Sequence, residues 1–152
     1  MRNVIVVTAF VVAGVLAAGL AAGQEAPRVD PLSEQVFGAS LSTDQAIYRS
    51  GEPIRITFEV FNYTPTPVRF DFTSGQRYDL IIEDRQGNEV WRWSAGRMFT
   101  MALGQETLEP AKPRLTYEAE YTARLEPGRY KIKGLLTDVS RRISATIGME
   151  VQ

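Results

Sequence analysis

The feature that most constrains this chain is a strict two-residue alternation at 54–60. Ile54, Ile56, Phe58 and Val60 fall on one side, and Arg55, Thr57 and Glu59 on the other. Only a strand with one buried and one wetted face produces that pattern, because successive side chains of an extended backbone point to opposite sides. The motif repeats. Val68, Phe70 and Phe72 alternate against Arg69 and Asp71; Tyr78, Leu80 and Ile82 against Asp79 and Glu83. Leu115, Tyr117, Ala119 and Tyr121 follow, then Tyr130, Ile132, Gly134 and Leu136, and last Ile143, Ala145 and Ile147. An earlier strand is expected over 41–48 and a further one over 90–93.

Turn chemistry separates these runs. Residues 49–53 (Arg-Ser-Gly-Glu-Pro), Pro65 with Pro67, Ser74-Gly75, Gln86-Gly87-Asn88 and Glu126-Pro127-Gly128 are breakers by composition. No stretch beyond the N-terminal apolar run keeps a helical period of useful length. Short strands recurring about every ten residues predict an all-β chain, an antiparallel β-sandwich of about seven to nine strands with Greek-key connections. Trp91 and Trp93 share a face by the period of two and are expected as core plugs.

Residues 1–23 read as a leader: Arg2, an uncharged apolar run over 4–20, then Ala21-Ala22-Gly23 before Gln24. The expectation is a signal peptide cut after Gly23 and an extracytoplasmic location, secreted or periplasmic, with an uncleaved membrane anchor as the alternative. Membrane contact is then expected only through that segment. Residues 24–38, with Pro27 and Pro31 and no sustained period, are expected as a linker or arm, and 39–152 as one domain.

Absences exclude whole classes of chemistry. With no cysteine and no histidine in 152 residues, disulfides, thiol nucleophiles, a Ser-His-Asp triad and His-bearing zinc sites are all ruled out. A net charge of −1 offers no field for nucleic acid. Carboxylates remain. Asp71 and Asp79 bracket the Ser74-Gly75 turn, but a glycosidase pair needs its carboxyls about 5–9 Å apart across a cleft, and carboxylates alternating with aliphatics read as the wet side of a sheet. A calcium site from Asp79, Asp84 and a loop carbonyl is a distant alternative. Gly75, Gly87 and Gly96 each follow turn logic, so no phosphate loop is present. No cofactor and no catalytic residue is expected.

A binding surface is the remaining candidate. Arg97, Met98, Phe99, Thr100 and Met101 lie between Gly96 and Gly104 in the longest irregular region, 94–113. Arg, Met and aromatic residues are the types enriched in protein interfaces, so Arg97, Met98, Phe99 and Met101 are the expected partner-binding residues. Residues 98–103 are expected as a short edge strand or extended piece. The competing arrangement tucks Phe99 and Leu103 under the sandwich edge as a lid and leaves only Arg97 exposed. Tyr48, Tyr63 and Tyr130 are either partly exposed platforms at strand ends or amphipathic core margin.

Ser-Gly-Gln-Arg-Tyr-Asp at 74–79, the hairpin at 84–94 ending in Trp-Arg-Trp-Ser, and Phe99-Thr100 with Glu106-Thr107-Leu108 resemble the bacterial intracellular proteinase inhibitor family. The likeness reaches back through 48–62 and forward to Leu-Glu-Pro-Gly-Arg-Tyr-Lys-Ile at 125–132, covering roughly 40–137. The resemblance implies an immunoglobulin-like sandwich and a non-enzymatic domain that binds a protein, a serine proteinase by family name. It supplies no reactive residue. The alternative function is a structural or adhesion module of the cell envelope.

Overall fold

The computed structural model describes residues 37–122 and 124–152; the expected signal peptide and all but the last two residues of the expected arm lie outside them. Ten strands and no helix occur among the described residues. They are β1 (Phe37–Thr43), β2 (Ile47–Tyr48), β3 (Ile54–Asn62), β4 (Val68–Phe72), β5 (Tyr78–Glu83), β6 (Glu89–Arg92), β7 (Gly104–Leu108), β8 (Arg114–Tyr121), β9 (Gly128–Leu136) and β10 (Ser144–Val151).

Strands β1-β3-β8 form one sheet and β2-β10-β9-β5-β6 the other, with β4 and β7 as a two-stranded ribbon at one side. After β3 the chain passes through the ribbon to β5 and β6, returns through β7 to place β8 beside β3, and crosses again to β9 and β10. This is the Greek-key wiring of an immunoglobulin-like β-sandwich.

The core is the sum of the inward faces. Ile54, Ile56, Phe58 and Val60 are buried from the first sheet. Leu80, Ile82, Ile132, Ala145, Ile147 and Met149 are buried from the second. Gly134 on β9 is small for a reason: a Cβ there would lie 2.5 Å from the Phe58 ring. The inward face of β3 ends on a polar group, Asn62. Its side-chain nitrogen donates to the Thr66 and Leu108 carbonyls at 2.9 and 3.2 Å, and its oxygen accepts from Thr64 N–H at 3.0 Å. A buried amide so satisfied fixes the proline turn against β7.

Three expectations need correction. The strand expected over 41–48 is two strands, β1 paired antiparallel with β3 and β2 paired parallel with β10. Between them the chain changes sheets at Asp44, whose Oδ1 accepts from the Tyr48 hydroxyl at 2.7 Å and from Arg55 N–H at 3.2 Å. Strand β7 was not expected, because Leu108 is its one large apolar residue; the ladder with β4 and the burial of Leu108 hold it in place. The tryptophans are half-buried rather than core plugs. Strand β6 is the sheet edge, so its inward face meets the margin of the core: Trp91 stands edge-on to Tyr121 at 5.2 Å and Trp93 stacks on Tyr78 at 4.2 Å.

Gly134→Ala forces Phe58 out of its place between the sheets and is expected to lower stability by about 1–3 kcal/mol, the range for overpacking a filled core. Urea unfolding followed by tryptophan fluorescence measures this; an unchanged midpoint contradicts the packing described.

Candidate functional site

Residues 94–103 leave the sandwich between β6 and β7 and contain the segment singled out in the sequence. Most of the contacts that hold them come from one short stretch, 74–79.

The loop begins at Asp79. That carboxylate is only 5% exposed, although it alternates with aliphatics and was expected on the wet side. Its Oδ2 accepts from Arg92 Nη1 and from the Ser94 hydroxyl, both at 2.7 Å. Its Oδ1 accepts from the backbone N–H groups of Leu80 and Ser94 at 3.0 and 3.1 Å. A buried charge must be compensated in this way or it expels itself. Arg92 also donates to Glu89, with Nη2 at 2.6 Å from Oε2. The two carboxylates, Glu89 first, hold the guanidinium proton more tightly than usual. The loop therefore starts from a fixed point at Ser94.

Its far end is fixed by Arg77. Nε donates to Glu106 Oε1 at 2.7 Å, Nη1 donates to the Ser74 carbonyl at 2.7 Å, and the guanidinium lies over the Phe72 ring at 4.5 Å. Gly104, where β7 begins, packs so closely on that guanidinium that a side chain would collide with it. In the middle, Gly75 N–H donates to the Thr100 carbonyl at 2.8 Å. A Cβ on Gly75 would lie 2.6 Å from Thr100 Oγ1, so the two segments pass where only glycine fits.

Beneath the loop runs a column of rings. Phe58 leads to Tyr117 at 6.2 Å, Tyr117 to Tyr78 at 4.5 Å, and Tyr78 to Trp93 at 4.2 Å. Burial pushes the Tyr78 and Tyr117 phenols above their ordinary 10.0, so both stay neutral across the physiological range. On Trp93 rest two loop residues. Arg97 lies over the indole at 4.3 Å and its Nε donates to the Trp93 carbonyl at 2.8 Å; the Phe99 ring is 5.8 Å away.

Arg97, Met98, Phe99 and Met101 are thus gathered in one loop but used differently. Arg97 and Phe99 turn back onto Trp93. Met98 is 97% exposed, Met101 87% and Leu103 84%. Residues 97–103 form no strand, so of the two expectations for 98–103 the short edge strand is not met. The lid arrangement describes Phe99, which is half-buried, and fails for Leu103.

The other candidates separate. Tyr48 is buried, which removes it as a platform; Tyr130 is half-buried and Tyr63 is exposed, with Arg114 Nε donating to the Tyr63 hydroxyl at 2.7 Å. Asp71 pairs with Arg69 at 3.2 Å. Asp84 holds the β5–β6 turn, accepting from Asn88 Nδ2 at 2.9 Å and Gln86 N–H at 2.9 Å, and those bonds lower its pKa, the Asn88 side chain most. With Asp79 committed to Arg92 and Ser94, it serves as a structural anion. No group of three or more acidic residues suited to a metal ion occurs among the described residues.

Asp79→Asn keeps the shape and removes the charge facing Arg92. It is expected to lower stability by about 1.5–3 kcal/mol, the worth of charge-assisted hydrogen bonds in a partly buried place. The measurement is urea unfolding followed by tryptophan fluorescence; a loss below about 0.5 kcal/mol, the scale of an exposed pair, contradicts the anchoring role.

No curated protein sequence matches the chain. Among solved structures it is similar to an alkylpurine DNA glycosylase of Pseudomonas fluorescens bound to DNA containing an abasic-site analogue (17% identity, 80% of this chain and 32% of that one, TM-score 0.46). It is also similar to the sporulation control protein of Bacillus subtilis (15%, 77% and 49%, TM-score 0.49). A third is the CARDB domain of a Pyrococcus furiosus protein in complex with di-metal ions (12%, 76% and 91%, TM-score 0.44). The chain spans about a third of the first and half of the second.

A family model described as intracellular proteinase inhibitor matches residues 41–141. That description corrects the extracytoplasmic location expected from residues 1–23, which rested on the order of basic, apolar and small residues alone. No helix among the described residues is long and apolar enough to cross a membrane. The match takes in the whole bracket at 74–79, the Trp-Arg-Trp-Ser hairpin and the projecting loop, and the chain belongs to the intracellular proteinase inhibitor family.

Proposed function

We propose that this protein inhibits a serine proteinase by laying residues 97–101 in the enzyme's cleft, without chemistry of its own. The observation that carries the reading is the projection of Met98 and Met101 almost fully into solvent from a loop tied at both ends and in the middle. Isolated large apolar side chains on a surface are ordinary. Met98, Met101 and Leu103 are instead concentrated in one short segment, held there by buried charge and stacked rings, and clustered exposed apolar residues mark contact surfaces.

Holding the loop in advance favours binding. Ordering a free backbone costs about 1–2 kcal/mol per residue, and a segment already ordered by its scaffold avoids most of that on association. Family membership supports a proteinase as the partner, and the loop supplies the apolar, flexible side chains that fill irregular pockets.

The test is residual activity of a panel of serine proteinases on a small chromogenic substrate, with the wild-type chain and the double variant Met98→Asp/Met101→Asp. Both positions are exposed, so the variant is expected to keep the wild-type unfolding midpoint. Inhibition is expected to weaken by roughly thirtyfold or more, the scale of losing central interface residues. Equal inhibition by variant and wild type contradicts the placement of the contact. Tight association with a different protein that leaves every proteinase active contradicts the function.

A further inference from the structure

The loop carries a finer distinction, which rests on the reading of it as a proteinase contact. Of its residues, Arg97 and Phe99 are committed to the protein itself, one on each side of Met98, and both to the same ring. Arg97 covers the Trp93 indole at 4.3 Å and donates to its carbonyl at 2.8 Å; Phe99 meets the indole at 5.8 Å. One residue on, the Thr100 carbonyl accepts from Gly75 N–H at 2.8 Å. Met98 between them projects outward, 97% exposed. A basic residue suited to a trypsin-like pocket is present at 97, but entering such a pocket requires it to leave Trp93. Met98, 97% exposed, has no comparable tie to break.

We propose that Met98 fills the specificity pocket of a serine proteinase whose pocket is apolar, and that Met98–Phe99 is the reactive peptide bond, with Trp93 clamping both sides of it. The chemistry balances without any further reagent. The proteinase serine Oγ adds to the Met98 carbonyl carbon, the bond to the Phe99 nitrogen breaks, and that nitrogen leaves as an amine carrying the proton taken from the serine. In an ordinary substrate the amine departs and water takes its place. Here Phe99 stays against Trp93 and Thr100 stays bonded to Gly75, so the amine remains beside the acyl ester at high effective concentration. It attacks the ester again, restoring the peptide bond and returning the proton to the serine. The complex persists because cleavage is reversible. Trp93, Arg97 and Phe99 act as positioning residues.

Two measurements with the full chain test this. The first is the inhibition constant of wild type and Met98→Lys against chymotrypsin and subtilisin, whose pockets are apolar, and against trypsin, whose pocket holds a carboxylate. Met98→Lys is expected to weaken inhibition of the apolar-pocket enzymes by roughly a hundredfold and to create inhibition of trypsin. The second is mass spectrometry during incubation with catalytic amounts of chymotrypsin. Wild type is expected to show a slow, partial cut between residues 98 and 99 while remaining inhibitory. Phe99→Ala and Arg97→Ala, each removing one arm of the clamp from the surface, are expected to be cut at that bond at least about tenfold faster, with inhibition that fades.

If Met98→Lys inhibits the apolar-pocket enzymes as well as wild type does, or if the cut falls at another bond of residues 97–101, the inference is overturned while the loop as contact surface stands. A wild-type chain that leaves chymotrypsin and subtilisin fully active overturns the inference, and one that leaves every proteinase of the panel active overturns both.

Discussion

The structure around the projecting loop depends on the buried carboxylate of Asp79 and the groups that neutralise it. A charge at 5% exposure is tolerable only when its oxygens are filled, and here they are filled by Arg92 and Ser94, the second and fourth residues of Trp-Arg-Trp-Ser, together with the Leu80 and Ser94 N–H groups. That requirement couples β5 to the last turn of the hairpin and sets the direction in which the chain departs. The edge position of β6 makes the coupling necessary. An edge strand has ladder bonds on one side only, and the Asp79 cluster adds a side-chain tie at its last residue, Arg92.

The family signature thus has a physical meaning. Within 74–79 four of the six residues reach the 93–106 segment: Gly75 by its amide to Thr100, Arg77 by its salt link to Glu106, Tyr78 by stacking under Trp93, Asp79 by binding Ser94. The stretch is a bracket, and the loop it holds owes little to its own side chains except Ser94, Arg97 and Phe99. This division leaves Met98 and Met101 free of structural duty and almost fully in solvent. A side chain that neither the core nor the bracket uses can be fitted to a partner.

The sandwich was legible because alternation and turn residues report burial directly. Residues 54–60 read as a strand on pattern alone and form the centre of the first sheet. Strand β7 was not legible, since Gly104, Gln105, Glu106 and Thr107 carry no apolar alternation and the strand exists through its pairing with β4. The depth of the tryptophans was misjudged because period two gives the face of a strand and not its place in the sheet. Asp79 was misread for a related reason: alternation with aliphatics marks the outward face, and the partner that covers it, Arg92, lies thirteen residues away across a hairpin. The opposite charges of Asp79 and Arg92, one on each side of the Gly87 turn, were the available signal. That the loop residues divide between clamp and projection depends on the position of one indole ring, which no local pattern specifies.

Everything above requires residues 97–101 to hold one shape before any partner arrives. Backbone ¹⁵N relaxation of the isolated protein measures this directly. Order parameters of roughly 0.8 or higher across those residues, matching the strands that flank them, are the expected result; values below about 0.6, typical of a flexible segment, contradict it.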